Sequence, residues 1–221
     1  MNKKKKKLCL ILTAITCCIF MAIVETVIEP VYFIKSLIKF ISFFFIPFII
    51  MKKLNKNIFK DFKLNKESIK HLLILGIFIY GIIMLAYSFT QNIFDYPKLV
   101  KSLISDQHLT RNSLIWVAIY ISFINSFLEE FLFRFISFIK LLKYTKRIYA
   151  YLFSSMLFSL YHIAMIEAFP PILTFISVIG LAVGGLIFNY VDEKHNNIYN
   201  SWIVHMFADF ALMTILFMNI Y

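Results

Sequence analysis

Seven apolar blocks alternate with short polar or basic runs along this 221-residue chain, at about residues 8–24, 31–51, 72–89, 114–139, 148–169, 172–191 and 201–221. A helix rises about 1.5 Å per residue and the hydrocarbon core of a bilayer is about 30 Å thick, so roughly 20 apolar residues cross it. The pattern therefore predicts an all-α protein, a polytopic transmembrane helix bundle of about seven spans.

The polar runs punctuate these blocks. Lys3 to Lys7 ahead of the first block resembles the start of a signal peptide. No small-residue cleavage site follows, so an uncleaved first span is expected. Glu29-Pro30 makes a tight turn, since proline ends the helix before it. The second span carries Lys35 and Lys39 near its outer end, where long side chains snorkel to the interface, and Pro47, which should kink it. Residues 52–70 hold seven lysines, with Leu54, Ile58, Phe62 and Ile69 near one helical face. That pattern fits an amphipathic segment on an anionic membrane surface or, equally well, a solvated basic loop. Residues 91–113 are polar and mixed in charge. Pro170-Pro171 stops the fifth span. Gly180 and Gly184, four apart in the sixth, should allow close helix packing. Residues 192–200 form a short polar loop.

Charge adds orientation. The formal net charge is +11, and most of it lies at the N-terminus, in 52–70 and in 140–147. With seven spans all three fall on one side, which the excess of Lys and Arg marks as cytoplasmic. The chain is 61% hydrophobic and only 16% charged, where a soluble domain is about a quarter charged. No soluble basic patch interleaved with aromatics is present, so nucleic acid is excluded as a partner and anionic lipid is expected instead. The three cysteines, Cys9, Cys17 and Cys18, all fall in the first block and have neither a disulfide pattern nor metal-ligand spacing, so they read as apolar filler. The Lys, Ile, Phe and Asn usage suggests an AT-rich bacterial genome.

The candidate chemistry lies inside the spans, where charged groups are expensive and usually functional. The fourth span contains Glu129, Glu130 and Arg134. Glu130 and Arg134 are four apart on one face and can neutralise each other, whereas Glu129 has no evident partner in its own helix. His162 lies in the fifth span; His205 and Asp209 lie in the seventh, again four apart. Counting about 1.5 Å per residue puts Glu129 about 15 Å, Asp209 about 12 Å and His162 about 20 Å from the cytoplasmic end, close enough to share one pocket. Taken singly, a histidine is more often a packing residue and a Glu-Arg pair a clamp; their coincidence in three spans favours a site. A carboxylate removed from water is a better general base near neutral pH. Glu129 and His162 suit activation of a water, and His205 with Asp209 suits donation to a developing oxyanion. Glu129, His162 and His205 are also a ligand set seen in catalytic zinc sites. A site without a tightly bound metal is favoured, with zinc as the alternative.

Glu129-Glu130-xxx-Arg134, Phe158-xxx-His162 and His205-xxx-Asp209 together resemble, in order, the three motifs of the CAAX protease and bacteriocin-processing (CPBP, or Abi) intramembrane endopeptidases. The resemblance covers about 110–221 and implies a catalytic core over 111–221, preceded by N-terminal membrane helices over 1–110, in one integral membrane domain. It implies Glu129 as base, His162 as its partner on the water, and His205 with Asp209 as the stabilising pair. Glu130, Arg134 and Phe158 are expected beside them. Many bacterial members have glycine after the motif arginine, where this chain has Phe135. The implied function is hydrolysis of a membrane-delivered peptide or protein near the cytoplasmic face of a bacterial cell membrane, in bacteriocin or signal-peptide processing or self-immunity. Two other classes compete: a non-catalytic immunity or regulatory protein of the same fold, and a small proton-relay transporter. The transporter reading lacks the expected repeats and broken helices.

Overall fold

The computed structural model describes residues 2–54, 69–166 and 169–220. Seven helices among them are long and apolar enough to cross a membrane: α1 (Lys3–Ile28), α2 (Tyr32–Leu54), α3 (Ile69–Thr90), α5 (Leu114–Lys140), α6 (Arg147–Met165), α7 (Pro171–His195) and α8 (Tyr199–Met218). The expected polytopic all-α bundle is what forms. Most of the segment predicted at 52–70 lies outside the described residues. An additional short helix, α4 (Tyr96–Asp106), occupies the polar stretch 91–113. Asp95 caps it by accepting from the Lys98 amide at 3.0 Å, and its Leu99 and Val100 are buried. The polar, mixed-charge pattern of 91–113 does not mark this helix, because few apolar positions anchor it.

The connections follow local chemistry. Glu29 adopts a left-handed conformation ahead of Pro30, turning α1 into α2. In α2 the backbone widens to π-helical turns over Ile41–Phe45, just before Pro47. Proline cannot donate to the carbonyl one turn back, and the wider turn accommodates that loss. The 192–200 loop is shorter than expected, because α7 continues to His195 and Asn196 closes it with a left-handed residue. Asp192 is buried and accepts from the Ser201 amide (2.9 Å) and hydroxyl (2.8 Å), tying α7 to α8.

Close packing occurs at glycines other than the expected pair. A Cβ on Gly180 or Gly184 would meet nothing, whereas one on Gly185 would lie 2.9 Å from Ser155 Cα and one on Gly76 would run into the Phe207 ring. Gly185 lets α7 touch α6, where the Ser159 hydroxyl donates to the Val178 carbonyl at 2.7 Å. Gly76 lets α3 lie along α8, a contact continued by Tyr80 to Thr214 and Tyr87 to Asn219. The centre of the bundle is α5. From Leu128 to Leu141 every residue is buried, and α1, α6, α7 and α8 pack around this stretch.

Candidate active site

Glu129 and Glu130 sit on the single α-helical turn Ser126–Glu130, between π-helical stretches at Tyr120–Asn125 and Phe131–Lys140. Neighbours on a helix point about 100° apart, so the two carboxylates serve different partners. Glu129 Oε1 accepts from Lys39 Nζ at 2.6 Å and from Asn125 Nδ2 at 3.0 Å. Its Oε2 faces His162 Nε2 at 3.5 Å and His205 Nε2 at 3.8 Å. Glu130 Oε1 accepts from His205 Nδ1 at 2.7 Å, and Oε2 lies 3.2 Å from Arg134 Nε. The latter is an ion-pair distance without hydrogen-bond alignment. The Arg134 guanidinium, fully buried, is held between the Phe158 and Phe188 rings, 4.1 and 4.8 Å from their centroids.

The histidine protonation follows from these partners. A carbonyl only accepts, so the 2.7 Å contact from His162 Nδ1 to the Phe158 carbonyl places the proton on Nδ1 and leaves Nε2 towards Glu129. Likewise His205 donates its Nδ1–H to the Glu130 carboxylate and turns Nε2 towards Glu129 and Asp209. His162 lies where α6 passes into the 3₁₀ turn His162–Met165. Its side chain is 16% exposed against 2% for Glu129, the most open of the group. Two buried polar atoms nearby, Tyr161 Oη and Asp209 Oδ2, have no hydrogen-bond partner among the described residues. Buried polar groups are normally satisfied, so these suit a polar guest.

All the residues singled out in the sequence therefore meet, and three details differ from expectation. Lys35 and Lys39 do not snorkel: both are buried, Lys39 on Glu129 and Lys35 on Glu25 at 2.7 Å. Glu129 does have a partner in its own helix, Asn125. His205 bonds to Glu130, not Asp209, whose Oδ1 is 3.7 Å from Nε2 and beyond hydrogen-bond reach. Lys39, Asn125 and Phe188 went unrecognised. Lys39 had a signal, an ammonium well inside an apolar run that needs a counter-charge. Phe188 had none, since one phenylalanine among 26 carries no mark.

Zinc, if bound, would draw on Glu129, His162 and His205. Among the described residues no three His, Cys, Asp or Glu side chains group as a metal-ligand set, and an ammonium already holds Glu129 Oε1.

The helices and the buried ionisable cluster define a multi-pass membrane protein with a polar site inside the bundle. Residues 111–211 match the family model Rce1-like, described as type II CAAX prenyl endopeptidase Rce1-like, which bears out the CAAX-protease resemblance over the segment carrying all three motifs. No curated protein and no solved structure matches the chain. Lys39 lies outside the matched segment.

Proposed function

We propose that this protein is an intramembrane endopeptidase in which Glu129 is the general base. The observation that carries the reading is the convergence of Glu129 Oε2 with His162 Nε2 and His205 Nε2 at 3.5 and 3.8 Å. Those separations exceed a direct hydrogen bond but let a water bridge them. Glu129 and His162 both present acceptors, so a shared water donates both its protons and turns a lone pair outward. Attack on a peptide carbonyl forms the C–O bond while Glu129 takes one proton. The charge then developing on the carbonyl oxygen is met by the Nε2–H of protonated His205, and removing such a donor typically costs 10²–10³ in rate, roughly 2.7–4 kcal/mol. The C–N bond breaks as Glu129 returns the proton to the leaving nitrogen. Glu130 and Arg134 hold His205 in place, and Asp209 stands beside its Nε2. Every group in this scheme belongs to the chain; no tightly bound metal is required.

The substrate class is a membrane-delivered peptide or protein, and the setting a bacterial cell membrane with anionic lipid at the basic segments. Bacteriocin or signal-peptide processing and self-immunity are the roles in view.

The test uses purified protein in vesicles with a farnesylated, internally quenched peptide carrying cysteine four residues from its C-terminus, alongside mapping of new protein termini in expressing membranes. Glu129→Ala, His162→Ala and His205→Ala should each abolish cleavage, with His162→Ala accumulating normally and Glu129→Ala, which strands the buried Lys39 ammonium, at lowered abundance. Glu130→Ala and Arg134→Ala should lower abundance as well, because each leaves a buried charge without its partner. Treatment with a strong chelator should leave the rate unchanged; loss restored by added zinc would overturn the metal-free mechanism. Full biological activity of Glu129→Ala at normal abundance would favour the non-catalytic alternative.

A further inference from the structure

Asp192 is fully buried in α7, and neither the motifs nor the mechanism above uses it. An acid enclosed in an apolar bundle is expensive unless both its oxygens and its charge are met. Its oxygens are met by Ser201 of α8, whose amide donates to Oδ1 at 2.9 Å and whose hydroxyl donates to Oδ2 at 2.8 Å. Ser201 and His205 are four apart, so Asp192 grips α8 one turn from His205 and on the same face. Asn200 adds a second tie, donating from Nδ2 to the Val191 carbonyl at 2.9 Å. α7 is itself fixed on α6 by Asn189, which accepts from the Ser154 hydroxyl at 3.0 Å and donates to the Tyr151 carbonyl at 3.2 Å.

The charge of Asp192 is met by Arg134. The two groups stand within range of each other's charge, and Phe188, one turn before Asp192 on α7, covers the guanidinium at 4.8 Å. No nitrogen of Arg134 makes a hydrogen bond among the described residues. Glu130, its ion-pair partner at 3.2 Å, gives its other oxygen to His205 Nδ1 at 2.7 Å. A carboxylate shared in this way leaves Arg134 short of counter-charge, and Asp192 supplies it. Asp192 therefore reaches His205 by two routes: along α8 through Ser201, and across the bundle through Arg134 and Glu130.

We propose that Asp192 is a positioning residue for His205, acting through Ser201 and the Arg134–Glu130 pair to hold Nδ1 of the imidazole on Glu130 and Nε2 towards Glu129. This rests on the endopeptidase reading for what His205 does, but not for where His205 is held. A staple that merely joined α7 to α8 would change the amount of folded protein and leave the imidazole of the folded fraction as it was.

The test pairs nuclear magnetic resonance, which needs no turnover, with kinetics. In full-length protein carrying isotope-labelled histidine, the His205 Nδ1–H is identified as the downfield ring N–H that is absent from His205→Gln. Asp192→Asn keeps an oxygen for the Ser201 amide but carries no charge; Ser201→Ala keeps every charge but loses the hydroxyl. Both variants are compared with wild type as monodisperse protein in detergent. In each the His205 resonance should move upfield or be lost to exchange with water. Cleavage of the quenched peptide should fall in kcat by about tenfold in Asp192→Asn and about threefold in Ser201→Ala, with KM within about twofold of wild type. An unmoved resonance in either folded variant, no such resonance in wild type, or a kcat unchanged in folded Asp192→Asn would overturn the assignment. Should Asp192→Asn fail to fold, Ser201→Ala decides, since it alters no charge. If wild type cleaves nothing, the endopeptidase reading fails and the resonance alone decides the role of Asp192.

Discussion

Lys39 fixes how Glu129 is presented. Its ammonium is 2.6 Å from Oε1 and lies 5.3 and 5.2 Å from the ring centroids of Phe43 and Tyr161, so it is held by charge and by two aromatic faces. With Asn125 on the same oxygen, the carboxylate is clamped at Oε1 and offers Oε2 to the histidines. Removing one partner of a buried ion pair costs about 3–5 kcal/mol, because the other charge is stranded, whereas replacing both can be nearly neutral. Lys39→Met should therefore destabilise the protein by about that amount. Lys39→Met with Glu129→Gln should recover most of the loss in detergent thermal melts. Additive losses in the double variant would show that the contact carries no coupling. The sequence marks Lys39 as needing a counter-charge but does not select Glu129: a lysine stem two turns into a span reaches either the interface or an interior partner, and periodicity is the same for both. His205 and Glu130 are similar. Their spacing along the chain shows that each needs a partner but does not select which.

At the scale of helices, the span pattern was legible because twenty apolar residues in a row leave few alternatives, and each polar break has a local cause such as Glu29-Pro30 or Pro170-Pro171. Contact faces were not legible. Gly180, Gly184 and Gly185 are indistinguishable as letters, yet only Gly185 has Ser155 backbone against it. Gly185→Ala should lower stability by about 1–3 kcal/mol through overpacking at α6. Gly180→Ala should be neutral or stabilising by up to about 1 kcal/mol, since alanine is the better helix former and open space surrounds the site. Melting temperatures of the two purified variants decide between them; equal losses would mean that α7 packs on a different face. The π-helical stretches around Ser126–Glu130 were also invisible to a reading that assumes 3.6 residues per turn, although the Glu130–Arg134 approach survived them.

For the whole molecule, the open question is orientation, which the helix count and the charge distribution answer together. Lys3 to Lys7 start α1, Lys52 and Lys53 end α2, and Lys140 to Arg147 join α5 to α6. With consecutive spans crossing in alternate directions, these three segments share one face of the bundle. The Glu29–Pro30 turn, α4 and the end of α8 share the other. Lysine and arginine in short loops are retained on the cytoplasmic side during insertion, so the N-terminus should be cytoplasmic and the C-terminus outside. A reporter that is active only in the cytoplasm should give no signal when fused after Tyr221 and a strong one when fused after Lys146. An export-dependent reporter should show the reverse. A cytoplasmic signal at both positions would mean that one of α6, α7 and α8 fails to cross, breaking the parity on which the placement of His162 and His205 at matching depth depends. Signals exchanged between the two positions would leave the helix packing intact and turn the face carrying the Glu29–Pro30 turn towards the cytoplasm.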